Sequence, residues 1–89
     1  MPLSDTARQR LLATIRTADH TGTLYAVHDD TLLAFAKGMA AETLLGGYSA
    51  AKAIAVHAYR VPESVCDTVT AAALPAFYPF TSALARTNC

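Results

Sequence analysis

Apolar residues recur at helical spacing through the first twenty positions of the chain, with arginine, glutamine and threonine side chains between them. Ser4 offers a hydroxyl that can cap a helix, and Asp5 places an acid in its first turn. The pattern predicts an amphipathic helix that ends near Asp19, just before Thr21-Gly22. Its predicted apolar side consists of Ala7, Leu11, Leu12, Ile15 and Ala18.

Residues 23–36 fit two interpretations. A β-hairpin turning at Asp29-Asp30 would explain why apolar residues there alternate with period two. That turn contains no glycine, although tight hairpin turns usually need one, and strong helix formers follow it. We therefore predict an extended segment over 23–28, with Asp30 as the N-cap of a second helix. That helix should run from Thr31 to about Leu45, and the hairpin is the alternative.

Two further long helices follow in the predicted order, the first of them after Gly46-Gly47 ends the second helix. Ser49 can cap a third helix that runs to about Arg60, and because this helix is apolar almost all round we expect it to be central in the fold. The residue before Pro62 should avoid the α region and so end that helix. A fourth helix should start at 62–64 and end at Pro75, and a short fifth one is expected around 81–86.

Together these elements predict an all-α fold, a compact four- to five-helix single domain over residues 1–89, with α+β as the class if the hairpin forms. Hydrophobic residues make up 53% of the chain, but many are alanine, which favours helix and buries little area. Such a core is thin. It needs closely approaching helices or the surface of a partner to complete it.

The balance of charges weighs against two classes of protein. Seven basic and seven acidic residues give a net charge of zero, so the chain lacks both the basic footprint of a nucleic-acid binder and the acidic surface of a nucleic-acid mimic. Three of the cations, Arg8, Arg10 and Arg16, fall in the first helix. They fit a solvated face, and are also the candidates for a charged contact with a partner.

Cysteine usage and hydropathy suggest a cytoplasmic setting. Cys66 and Cys89 fit no metal-binding or CxxC spacing, and Cys66 is expected to be a small core residue. The first residues contain no apolar stretch typical of a secretory signal. An uncharged run over 68–85 approaches the length of a membrane span, but its prolines and hydroxyls oppose insertion, so we expect no membrane association.

The string Gly47-Tyr48-Ser49-Ala50-Ala51-Lys52-Ala53 resembles the active-site motif of short-chain dehydrogenases. In that family a tyrosine and a lysine four residues later share one helix face, which implies Tyr48 as the acid/base and Lys52 as the group that lowers its pKa. The likeness covers seven residues, and the glycine-rich turn and βαβ pattern of a dinucleotide-binding fold are missing. We therefore interpret the string as a junction between two helices.

Other candidate chemistry is sparse. His20, His28 and His57 show no helical pair spacing for a metal, and His57 is expected to be a hydrogen-bonded core group. Asp29-Asp30 is better explained by helix capping. The sequence thus predicts a non-enzymatic protein with no cofactor, metal or catalytic residue.

Three aromatic residues close to Pro75 and Pro79 form the most distinctive feature of the C-terminal region. Phe77, Tyr78 and Phe80 can either cover the thin core or form a patch that binds a partner. We predict that the protein is an interaction module, a small inhibitor or regulatory adaptor of a larger protein complex, with these aromatics and the three arginines as its partner-binding residues. Alanine-faced helices also make a homodimer plausible. The alternative is a small dimeric DNA-binding regulator.

Overall fold

The computed structural model describes residues 3–79, and within them the chain forms helices joined by short loops. The helices are α1 (Asp5–Ala18), α2 (Asp29–Leu44), α3 (Tyr48–Ala58) and α4 (Glu63–Phe77). No strand forms between residues 3 and 79, so the all-α prediction is confirmed and the hairpin alternative is wrong. The predicted short helix around 81–86 lies outside the described residues.

The two central helices are α2 and α4. They pack against each other, α1 contacts both of them, and α3 also contacts both. Among residues 3–79, α1 and α3 do not touch each other. The molecule therefore has a central pair of helices with one helix on each side.

Small side chains let the central helices approach closely. Ala36 and Ala40 of α2 and Ala73 of α4 are fully buried, beside larger residues that fill the core. The largest fully buried side chains are Ile15, Leu32, Val65, Cys66 and Val69. Cys66 is thus a core residue as predicted, and the buried Thr70 hydroxyl donates to its carbonyl at 2.8 Å. The core is thin because alanine fills several of its positions.

The ends of α1 and α2 follow their capping residues. The Ser4 hydroxyl accepts a hydrogen bond from the Ala7 amide, as the sequence predicted for α1. At the end of α2, Gly46 has φ 80°, and its amide donates to Thr43 while the Gly47 amide donates to Glu42. This is the Schellman arrangement, in which a left-handed glycine satisfies the last carbonyls of a helix.

The start of α2 and the segment before it differ from expectation. His28, not Asp30, is the N-cap: its backbone is extended and its ring Nδ1 accepts from the Asp30 amide at 3.3 Å. Residues 21–26 form turns instead of an extended segment. The turns are stable because Gly22 takes φ 72° and the Asp19 carboxylate accepts from the Leu24 amide, which folds the chain back on α1.

The third helix is peripheral, contrary to the prediction that it is central. Ala55 is its one buried residue, and His57 is exposed instead of lying in the core. Its N-cap is Gly47, which makes no side-chain cap, and Ser49 lies in the first turn. The physical reason is that the branched side chains of α2 and α4 fill the centre, while an alanine-rich helix has little area to bury there.

The fourth helix continues past Pro75, which was expected to end it. A proline removes one backbone donor and here leaves the carbonyl of Ala71, an exposed residue that water can reach. The helix regains its pattern at once, since the Tyr78 amide donates to the Leu74 carbonyl at 2.8 Å. No helix in the described part of the chain is both long and apolar enough to cross a membrane.

Candidate functional site: an apolar groove beside α3

Two adjoining clefts lie along α2, where it faces α3 and the segment that follows α3. The larger, about 530 Å³, opens toward the 19–28 loop, and the smaller, about 280 Å³, lies toward the C-terminal half of α2. Ala34, Phe35 and Tyr59 line both. We call this surface the α2–α3 groove; its walls consist mainly of Leu24, Val27, Ala34, Phe35, Gly38, Met39, Glu42, Ile54, Tyr59 and Val61. From Thr31 to Glu42 it follows α2 for about 16 Å, at 1.5 Å per residue.

The groove exposes large apolar side chains and carries little charge. Tyr59 is 71% exposed and Ile54 is 58% exposed, although both residue types are usually buried at least in part. Glu42 is the single carboxylate or basic side chain among the lining residues of the two clefts. An uncharged apolar surface that contains both protruding side chains and vacant clefts is typical of an interface with another macromolecule.

Arg16 builds the wall of the groove that the 19–28 loop supplies. Its guanidinium donates to the carbonyls of Leu24 and Val27, each at 2.8 Å, and to the Asp29 carboxylate at 2.8 Å. The hydrogen bond from Arg16 is the main reason that the pKa of Asp29 lies below its ordinary value. One side chain therefore ties the end of α1, the loop and the start of α2 together.

The chain leaves α3 through an unusual backbone conformation at the edge of the groove. Arg60 has φ 62°, in the left-handed region that a residue with a Cβ rarely adopts. The residue on each side of it, Tyr59 and Val61, lines the larger cleft. The turn at Arg60 sends Val61 into the core, where it is buried, and leaves Tyr59 outside.

The three arginines predicted as one partner-binding group do not lie together: Arg8 and Arg16 reach the start of α2, and Arg10 lies elsewhere. Arg8 pairs with Asp30 at 3.0 Å, and Arg16 is engaged by the loop. Arg10 lies two residues, or about 200° of helix rotation, from Arg8. It is exposed and lines a separate cleft with Pro75 and Ala76. The structure thus brings Arg10 close to the end of α4 and does not gather the three cations into one patch.

The predicted aromatic patch is described only in part. Phe77 and Tyr78 are half-buried and pack against the core, and the Lys37 ammonium lies 5.9 Å from the centre of the Phe77 ring. Phe80 lies outside the described residues. Contact with the core accounts for the placement of the first two rings, and a partner-binding role for the three aromatics stays a prediction.

Tyr48 and Lys52, the pair that resembles a dehydrogenase motif, connect α3 to α4. The Tyr48 hydroxyl donates to the Asp67 carboxylate, and the Lys52 ammonium lies 3.2 Å from Asp67 and 3.0 Å from Glu63. The same ammonium stands 5.2 Å from the centre of the Tyr48 ring. We call these four residues the α3–α4 clasp.

The electrostatics of the clasp disfavour an acid/base role for Tyr48. Removal from water raises the pKa of the Tyr48 phenol, and its hydrogen bond to Asp67 raises it further. The motif of the dehydrogenases needs the opposite direction, a lowered pKa. The Tyr48 and Lys52 bonds hold the pKa of Asp67 below its ordinary value, and Glu63 together with Asp67 raises the pKa of Lys52. Tyr48, Lys52 and Asp67 are thus each stabilised in the form they have at neutral pH.

The remaining reactive side chains are dispersed. Burial raises the pKa of the Cys66 thiol, which disfavours the thiolate that a nucleophile requires. Between residues 3 and 79 no three side chains of histidine, cysteine, aspartate or glutamate gather in a way that could hold a metal ion. His28 serves as a helix cap, and His20 contacts the Ala18 carbonyl.

The chain matches no protein-family model, and neither the curated proteins nor the solved structures include a significant match. Its function is therefore inferred from its own residues.

The sequence did not predict the location of the α2–α3 groove. Phe35, Ile54 and Tyr59 have the composition of core residues, and nothing local distinguishes an exposed apolar residue from a buried one. A usable signal was present in α3, which is apolar almost all round although the core of so short a chain cannot cover all of it. The expectation that a thin core needs a partner's surface predicted that some apolar surface would stay exposed, but it did not say where on the molecule.

Proposed function

We propose that this protein is a non-enzymatic protein–protein interaction module, a small inhibitor or regulatory adaptor that acts stoichiometrically by binding through the α2–α3 groove. The observation that carries the proposal is the combination of exposed Ile54 and Tyr59 with two adjoining apolar clefts on one surface. Aromatic and aliphatic anchors beside vacant clefts are the features that supply most of the binding energy at protein interfaces.

The construction of the groove supports a binding role over a passive one. Arg16 holds the loop wall and Arg60 accepts an unfavourable backbone conformation at the other wall. A wall that is fixed before binding lowers the entropy lost when a partner docks. An unfavourable conformation retained at such an edge is consistent with selection for the surface it creates.

The charges favour a protein partner over DNA. A DNA-binding regulator would use cations such as Arg8 and Arg16 to neutralise phosphates. In this fold both side chains are paired with aspartates at the start of α2. The groove itself offers few polar groups that could contact base edges.

The proposal is tested by capture of partners from native host extract with the wild type and two variants. Ile54→Glu places a charge in the groove, whereas Leu45→Glu places the same charge on another exposed apolar residue, 80% exposed and outside both clefts. We expect a defined protein to bind the wild type and Leu45→Glu stoichiometrically and to bind Ile54→Glu at least tenfold more weakly. Circular dichroism confirms that both variants fold.

Two results would contradict the proposal. Equal binding by Ile54→Glu and the wild type would place the partner elsewhere on the molecule. Recovery of nucleic acid, with binding that falls steeply as salt rises, would favour the DNA-binding alternative.

A further inference from the structure

The two ends of the α2–α3 groove differ in both shape and charge. At one end Ile54 protrudes beside the smaller cleft, and Glu42 supplies a negative charge. At the other end lies the larger vacant cleft of about 530 Å³, lined by Val27 and Val61. Arg60 is exposed and stands in the chain between Tyr59 and Val61, which line this cleft, so this end of the groove has a basic residue beside it.

We propose that the α2–α3 groove binds a second copy of this chain, related by a two-fold axis that passes near Ala34, Phe35 and Tyr59. This inference rests on the proposed function: the groove that binds a host protein binds a second copy when that protein is absent, so the two partners exclude each other. A two-fold axis exchanges the two ends of a surface, so each end meets the opposite end of the other copy. Ile54 of each copy then enters the larger cleft of the other, and Glu42 of each faces Arg60 of the other.

Self-complementarity of the groove is the reason to infer that a second copy binds there. One surface presents a protruding side chain and a vacant cleft at opposite ends, and opposite charges at the same two ends. In a two-fold dimer the contact between side chain and cleft forms twice, and so does the contact between opposite charges. The small residues Ala34 and Gly38 on the α2 side allow two helices to approach closely. The net charge of zero adds no long-range repulsion between copies.

The inference is tested by measuring mass against concentration, by sedimentation or light scattering, for the wild type and a charge-exchange series. In a dimer of Glu42→Arg, the new arginine of each copy faces Arg60 of the other copy. In a dimer of Arg60→Glu, the new glutamate of each copy faces Glu42 of the other copy. We expect each single substitution to weaken the dimer about tenfold or more, and the double substitution Glu42→Arg/Arg60→Glu to restore most of the affinity. Ile54→Glu should give a monomer, and Leu45→Glu should dimerise like the wild type.

The outcomes separate this inference from the proposed function. A wild-type mass that stays monomeric at all concentrations overturns the dimer, and single substitutions that the double variant does not rescue overturn its two-fold geometry. The proposed function survives either result if a host protein still binds in an Ile54-dependent way. If Ile54→Glu abolishes the dimer while leaving capture of the host protein unchanged, the dimer stands and the groove is not the adaptor surface. Circular dichroism and matched melting curves establish that each variant is folded.

Discussion

At the scale of single residues, two arginines set the shape of the groove by different means. Arg16 does so through hydrogen bonds, since its guanidinium joins two loop carbonyls and the Asp29 carboxylate. Arg60 does so through its backbone, which turns in the left-handed region directly after Tyr59. Neither the hydrogen bonds of Arg16 nor the backbone turn at Arg60 depends on positive charge alone. Substitutions with matched controls can therefore separate each effect from that of losing a charge.

Replacing Arg16 with alanine is expected to destabilise the protein by about 2–3 kcal/mol. The loss arises because hydrogen bonds to a charged donor disappear and part-buried carbonyls are left without their donor. The measurement is chemical denaturation. Arg8→Ala is the matched control, because it removes an exposed ion pair with Asp30 and should cost less than about 1 kcal/mol. Equal losses of unfolding free energy in the two variants would show that Arg16 stabilises the fold no more than an exposed ion pair does.

Replacing Arg60 with glycine is expected to stabilise the fold by about 1 kcal/mol, because glycine adopts φ 62° without the penalty that a Cβ imposes. For a domain of this size the melting temperature should rise by about 4–8 °C. Arg60→Ala, which keeps the Cβ and removes the guanidinium, serves as the control and should give little gain. Melting is measured at concentrations below self-association. A gain as large in the alanine variant would mean that the charge, and not the backbone, is unfavourable.

At the scale of the helices, α3 is held by polar contacts as well as by the packing of partly buried side chains against the core. Ala55 is its one buried residue, and the α3–α4 clasp joins its first turns to α4. In the clasp Asp67 is half exposed and accepts from both Tyr48 and Lys52. The attachment of α3 should therefore respond to pH.

Asp67→Asn should remove the pH dependence that the clasp contributes. In the fold the pKa of Asp67 is lowered, so its contribution is present above the ordinary value of 3.8 and is lost as pH falls through the lowered pKa. The pKa values of Tyr48 and Lys52 are raised, so their contributions are present below 10.0 and 10.5 and are lost as pH rises through the raised values. Melting temperature against pH should show the largest difference between wild type and variant in the neutral range. A difference that persists unchanged at pH 2 would contradict the clasp.

The sequence predicted the helices well where local chemistry decides them. Ser4 and Gly46 act within one turn of their own positions, and both helix ends that they define are confirmed. The position of α3 could not be predicted in the same way. Ile54 and Tyr59 are residue types that occur both in a core and at a groove, so the sequence does not distinguish the two positions. The Arg16 contacts and the pairing of Tyr48 with Asp67 join residues that only the tertiary fold brings together.

At the scale of the whole molecule, α2 and α4 form the part on which everything else depends. Seven fully buried residues belong to this pair: Leu32, Ala36, Ala40, Val65, Cys66, Val69 and Ala73. To these α1 adds the buried Leu11, Leu12 and Ile15. The third helix adds little to that core and supplies one wall of the α2–α3 groove instead. The exposed binding surface thus combines one wall from the stable helix α2 with a second wall from the less buried α3.

This division has a consequence for amide hydrogen exchange. Since α3 does not touch α1 and buries a single residue, it can open as a separate cooperative unit while the other helices stay folded. We expect amides 52–58 to exchange with a lower protection free energy than those in the middle of α2 and α4. Their protection should rise with protein concentration if a second copy covers the groove, because opening of α3 then requires the dimer to dissociate. Exchange of α3 in step with α4 at every concentration would show that the domain opens only as one unit.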